Sequence, residues 1–192
     1  MSSMNPEQLK QSLFDVYIGG NPIGGACSIW LQGSIRLLTA YHVSHDIDHS
    51  NTPRSLIFRN RTGDLTLRNI AFTKVPGSRD LSMSEQVDAD DALVIATHYV
   101  HGSEYATLGS AVSLLQPQNR VMRVSDEKPV PLRKAPRYIY IRSPGQKVDF
   151  GFSGKPVVNA ETHAVGVIVA KQWFPSGWYG VAEMLRQRVF QK

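Results

Sequence analysis

Only one cysteine, Cys27, occurs in the 192 residues. No internal disulfide can form, whereas secreted proteins usually carry several, so a reducing, cytoplasmic (intracellular) setting is expected. No apolar run approaches the ~18 residues that span a bilayer. The polar stretch Met1 to Gln11, which carries Glu7, lacks the apolar segment of a secretory signal. Neither a membrane partner nor a signal peptide is therefore expected. Internal repeats and low-complexity tracts are also missing. The chain is 19% charged and 42% hydrophobic, an ordinary globular mix that can fill a sizeable core. Lys and Arg outnumber Asp and Glu by 21 to 16, a net charge of +5. The basic residues are scattered, with mild concentrations over 54–68, 128–142 and 186–192, and are not interleaved with aromatics. This pattern reads as solubility, and nucleic acid is not expected as a partner.

What is present is a series of short apolar runs separated by turn signals. After a polar lead over 1–12, Phe14–Ile18 has the composition of a strand. Ala26–Leu31 and Ser34–Leu38 flank Gln32-Gly33 as a hairpin, and Leu56–Phe58 and Leu65–Leu67 flank Thr62-Gly63-Asp64 as another. Ile70–Phe72 and Ala92–Ala96 add strands, while Val75 to Asp88, with Pro76-Gly77 and several serines, reads as a long loop. A second group comprises Ala111–Leu115, Val121–Val124, Tyr138–Ile141, Pro156–Val158, Val165–Ala170 and Trp178–Val181. Only Val181 to Phe190 has helical spacing, with Val181, Met184, Leu185 and Val189 on one side. The fold class is therefore all-β, a sandwich or barrel. One half is expected over 13–105 and another over 106–192, crossing near Gly102 to Gly109.

Three local patterns carry chemistry. Gly151-Phe152-Ser153-Gly154-Lys155-Pro156 reads as a nucleophile turn. A serine hydroxyl needs a base for its proton and donors for the oxyanion it creates. Gly151 can turn its N–H into the same hole as that of Ser153, and Gly154 allows a sharp turn behind the nucleophile. Leu37-Leu38-Thr39-Ala40-Tyr41-His42 places a histidine at a strand end, where imidazole can shuttle protons. The orienting carboxylate is expected from Asp90, heading Ala92-Leu93-Val94, with Asp91 as the alternative and Asp88 in solvent.

These blocks resemble those of the chymotrypsin/trypsin-like serine peptidases. The family's T-A-A-H, D-I-A-L-L and G-D-S-G-G-P are matched by Thr39-Ala40-Tyr41-His42, Asp90-Asp91-Ala92-Leu93-Val94 and Gly151-Phe152-Ser153-Gly154-Lys155-Pro156, in the family's order. The resemblance extends over residues 13–188. It implies one peptidase domain of two antiparallel six-stranded β-barrels with a short C-terminal helix. His42, Asp90 and Ser153 would meet in the cleft between the barrels, with the Gly151 and Ser153 amides as the oxyanion hole, and would cut polypeptide substrates through an acyl-enzyme. Phe152 stands where secreted members have the aspartate of their zymogen switch, so the chain is more similar to intracellular bacterial or viral members. Lys155 replaces a glycine, Tyr41 an alanine and Asp91 an apolar residue. These departures support the alternative, a catalytically silent trypsin-fold module that binds protein or RNA.

The resemblance places the floor of the substrate pocket at Lys147, near Asp149, and one wall on the strand Val167–Lys171, around Val169 and Lys171. Two lysines there would favour an acidic side chain. His42, His45 and His49, with Asp46 and Asp48, have spacings that suit a metal, yet no H-E-x-x-H occurs, so neither metal nor other cofactor is expected. A reducing compartment favours controlled activity, and with it a regulatory protein partner.

Overall fold

The computed structural model describes residues 11–31, 33–60, 63–87, 113–115, 121–123, 138–141, 153–158, 164–174 and 177–185. Chain order begins with β1 (Leu13–Ile18), β2 (Asn21–Leu31), β3 (Ser34–Ala40) and a one-turn helix α1 (Tyr41–Ser44). The short strands β4 (His45–Asp46) and β5 (Thr52–Pro53) pair with each other. Then come β6 (Ile57–Asn60), β7 (Thr66–Arg68), β8 (Phe72–Lys74) and β9 (Leu81–Gln86). The later strands are β10 (Ser113–Leu115), β11 (Val121–Arg123), β12 (Tyr138–Ile141), β13 (Pro156–Val158), β14 (Ala164–Phe174) and β15 (Gly177–Met184).

Among the described residues, one sheet has seven strands in the order β7-β6-β1-β2-β3-β9-β8. Laid flat, its edges would stand roughly 29 Å apart at ~4.8 Å per strand. Residues 69–71 join those edges, and such a link spans at most about 15 Å. The sheet must therefore curl. The rings of Phe58 on β6 and Phe72 on β8, near opposite edges in strand order, stack with centroids 5.4 Å apart inside the curl. Phe14, Val16, Ile29, Leu37, Leu38 and Leu81 pack into the same interior. A second sheet has the order β11-β10-β13-β14-β15-β12 among the described residues.

The expected hairpin of Ala26–Leu31 and Ser34–Leu38 forms between β2 and β3, with Leu31 opposite Ser34 and Cys27 opposite Leu38. Two expectations are corrected. Residues 81–86, read as part of a loop, form β9 against β3. Its serines give the segment the composition of a loop, yet Ser82 and Ser84 are buried, and the Ser84 hydroxyl accepts a hydrogen bond from the Leu37 amide at 2.8 Å. Residues 181–184, expected to open a helix, are the end of β15, paired with β14 and β12. Val181, Ala182, Glu183, Met184 and Leu185 are all buried, as in a strand covered on both faces, and a continuous apolar run imitates helical spacing. Residues 186–190, Ala92–Ala96, the polar lead over 1–10 and the expected crossing near 102–109 lie outside the described residues. Among the described residues, no helix is long and apolar enough to cross a membrane.

Candidate active site

β2 positions the site. Gly24 to Ile29 are buried without interruption, because one face lines the curled sheet and the other receives the turn that carries Ser153. The Gly25 amide donates to the Ser153 carbonyl at 2.8 Å. A Cβ on Gly24 would lie 2.7 Å from that carbonyl oxygen and 3.0 Å from Val43 Cγ2. Val43 follows His42 on α1, so the serine turn and the histidine helix meet over one glycine. On the other side, the Gly154 amide donates to the Ile168 carbonyl on β14 at 2.7 Å, and the Ile168 amide donates to Lys155 at 2.9 Å. Gly154 has φ +88°. A Cβ there would run into the Gly25 carbonyl and the Thr39 hydroxyl, which itself donates to Gly25 at 2.7 Å. Only glycine meets both constraints.

α1 is one turn long, and its Ala40 cap supplies no side-chain bond to the free amides. Asp80, just ahead of β9, supplies them from across the sheet. Its main-chain carbonyl accepts from the Tyr41 amide at 2.9 Å, and Oδ1 accepts from the His42 amide at 3.0 Å. Its second oxygen, Oδ2, lies 2.6 Å from His42 Nδ1. One carboxylate thus holds both the backbone and the ring of His42, fixing Nδ1 as the protonated nitrogen and leaving Nε2 as acceptor. His42 and Asp80 are half-buried, at 31% and 23% side-chain exposure, which leaves the imidazole within reach of a ligand.

The structure places the Asp80 carboxylate beside His42 Nδ1; Asp90, the carboxylate expected from the sequence, falls on residues the structure does not describe. Asp88, Asp90 and Asp91 lie outside the described residues, as do Lys147, Asp149, Gly151 and Phe152. Ser153 is half-buried at its turn. Val169 is buried. Lys171 is exposed, and its ammonium lies 5.2 Å from the centre of the Trp178 ring. Lys155 is buried along the face of Gly25.

The three histidines serve three different partners. His45 is buried, stacks on Tyr41 at 4.3 Å, and places Nδ1 2.8 Å from the Ser44 hydroxyl. His49 is exposed and lies 3.0 Å from Asp46. That hydrogen bond, with Arg54 adding to it, holds the Asp46 carboxyl below its ordinary range. Among the described residues no cluster of His, Cys, Asp or Glu could hold a metal ion. Tyr41, large where the resemblance has alanine, is half-buried, with its ring stacked on His45 and the ammonium of Lys74 5.4 Å from its centre.

Sequence reasoning missed Asp80, Glu183 and the glycine pair. Glu183, on β15, is buried and accepts the Arg79 amide at 2.7 Å and the Asp80 amide at 2.8 Å. Each left a signal: a carboxylate directly before Leu81, an acid inside an apolar run, and two adjacent glycines in a strand pattern, which mark close backbone approach.

No protein-family model matches the sequence, and no curated protein matches it. Solved structures do. The HtrA-type protease AlgW with a decapeptide superposes with a TM-score of 0.60 at 15% identity, covering 93% of this chain and 62% of that one. AlgW with a tripeptide gives a TM-score of 0.62 at 17% identity, covering 96% and 59%. The chain spans about three fifths of the length of these structures. The likeness is one of fold: a trypsin-like serine-protease architecture, predominantly β.

Proposed function

We propose that the chain is a serine endopeptidase acting through Ser153, His42 and Asp80. The observation that carries this reading is the 2.6 Å contact between His42 Nδ1 and Asp80 Oδ2, on a helix whose next residue, Val43, borders Gly24 as the Ser153 turn does. Nε2 of His42 takes the proton of the Ser153 hydroxyl as Oγ forms a bond to the substrate carbonyl carbon. Asp80 stays ionised and stabilises the imidazolium. The oxyanion is received by the Ser153 amide, with that of Gly151 as second donor. The imidazolium then delivers its proton to the departing amine as the C–N bond breaks, leaving the acyl-enzyme. Water, deprotonated by the same imidazole, releases the acid and regenerates the serine.

The peptide-bearing AlgW structures support a polypeptide as the substrate class. Lys147 and Lys171 stand as candidates for a preference for acidic side chains, tested by a panel of peptides with Glu, Arg, Phe or Ala before the scissile bond. Covalent labelling by a fluorophosphonate probe tests the central claim. Wild type labels, and Ser153→Ala and His42→Ala do not. A folded wild type that never labels, with or without a regulatory partner, overturns the peptidase reading in favour of a silent binding module.

A further inference from the structure

Glu183 stands apart from the three reacting groups yet is 1% exposed, and a buried carboxylate is costly unless its oxygens are well supplied with donors. The donors it takes are two consecutive main-chain amides, Arg79 to Oε1 at 2.7 Å and Asp80 to Oε2 at 2.8 Å. These partners lie 104 and 103 positions away in sequence, in the bend that leads directly into β9 of the other sheet. Charge-assisted bonds of this kind are stronger than neutral ones, and a pair of them fixes direction as well as distance.

The place of Glu183 on its own sheet matters equally. It stands opposite Val167 in the β14–β15 ladder, one position from the Ile168–Ala182 pair. Ile168 is the residue whose carbonyl and amide grip Gly154 and Lys155, immediately after Ser153. Neighbouring ladder positions therefore hold the nucleophile turn on one side and the acid's backbone on the other. The Asp80 amide is fixed by Glu183, its carbonyl by Tyr41, and its two carboxylate oxygens by His42.

We infer that Glu183 is a positioning residue that sets the His42–Asp80 pair of the first sheet at a fixed offset from the Ser153 turn of the second. This rests on the peptidase reading above for its consequence in rate, but not for its geometry. Glu183 touches no substrate and moves no proton.

The test is a double-mutant cycle with Glu183→Gln and Asp80→Asn. Gln keeps the shape but presents one acceptor oxygen, so one of the two amides loses its partner. In the wild-type background, kcat and the rate of fluorophosphonate labelling should fall about 10²-fold, the scale of a misplacement of roughly 1 Å, with KM unchanged. In the Asp80→Asn background the same change should cost almost nothing further, because the group being positioned no longer works. Proton NMR of the His42 Nδ1–H should show a downfield resonance in wild type that is lost or broadened in Glu183→Gln. If Glu183→Gln does not fold, Glu183→Asp, which keeps the charge but withdraws both acceptors, takes its place. Equal losses in both backgrounds, or an unchanged rate and unchanged resonance in a folded variant, overturn the positioning role. An inactive wild type whose Nδ1 resonance still depends on Glu183 overturns the peptidase reading and leaves this one standing.

Discussion

Lys155 fills the space that a side chain on Gly25 would claim. An ideal Cβ on Gly25 would lie 2.7 Å from Lys155 Cγ and 3.5 Å from Cε. A lysine stem is thus accommodated just behind Ser153 because β2 offers bare backbone there. Gly25→Ala should destabilise the fold by about 1–3 kcal/mol through overpacking. Truncating the lysine should return part of the loss, so denaturant midpoints of Gly25→Ala, Lys155→Ala and the double variant check the pairing. Additive losses would mean the two positions are independent.

Gly154→Ala should be worse. Its positive φ alone costs on the order of 1–3 kcal/mol for a residue with a Cβ. Here the obstacles are the Gly25 carbonyl and the Thr39 hydroxyl, a backbone group and a buried one. Loss of soluble folded protein, or a fall in Tm well beyond that of Gly25→Ala, is the expected outcome by circular dichroism.

Asp80→Asn should lower turnover about 10⁴-fold while leaving the fold intact, because an amide favours the wrong tautomer of the base. Asp90→Asn and Asp91→Asn should change turnover little. Steady-state rates of the three variants distinguish the carboxylate at His42 Nδ1 from the one the sequence favoured.

The reason for that difference is physical. His42 and Ser153 stood out in the sequence as candidates because each sits in a short pattern with constrained neighbours: Thr39-Ala40 before the histidine and Gly154 after the serine. The acid has no such signature beyond a strand behind it. Asp90 precedes an obvious apolar run, whereas Asp80 precedes Leu81-Ser82-Met83-Ser84, where serines occupy buried positions and answer polar partners on β3 and α1. That run does alternate, but its serines, following Pro76-Gly77, carry the composition of a loop, and only the fold shows that their hydroxyls are bonded inside the core. The end of the chain failed in the opposite sense. From Val181 to Leu185 burial on both faces removes alternation, and Glu183 looks like the polar face of a helix when it is an interior acid.

His45 should make stability depend on acid. Burial pushes its imidazole below the ordinary 6.5, so the folded chain prefers the neutral ring. Above about pH 6.5 the ring is neutral in folded and unfolded chains alike, and its contribution is fully present. As pH falls below that value the unfolded chain takes up a proton that the folded one resists, and stability declines until the folded ring titrates as well. Urea midpoints between pH 7 and 5 should drop more steeply for wild type than for His45→Gln, and parallel curves would contradict this.

Cys27 should report unfolding rather than chemistry. It is fully buried, and burial pushes its thiol up to about 12, so almost no thiolate exists at neutral pH. Native protein should stay unmodified by a thiol reagent over the time in which denatured protein reacts completely. Rapid reaction of the native form would show that β2 opens readily.

The contact between the two sheets at Gly24, Gly25, Ser153 and Gly154 is built from amides and carbonyls. Every residue type but proline carries both groups, so most side-chain changes leave them in place. A Cβ at one of a few glycines, or a proline that removes a donor, disturbs it. A joint of this kind is specified by few side chains, so it makes few demands on the sequence around it.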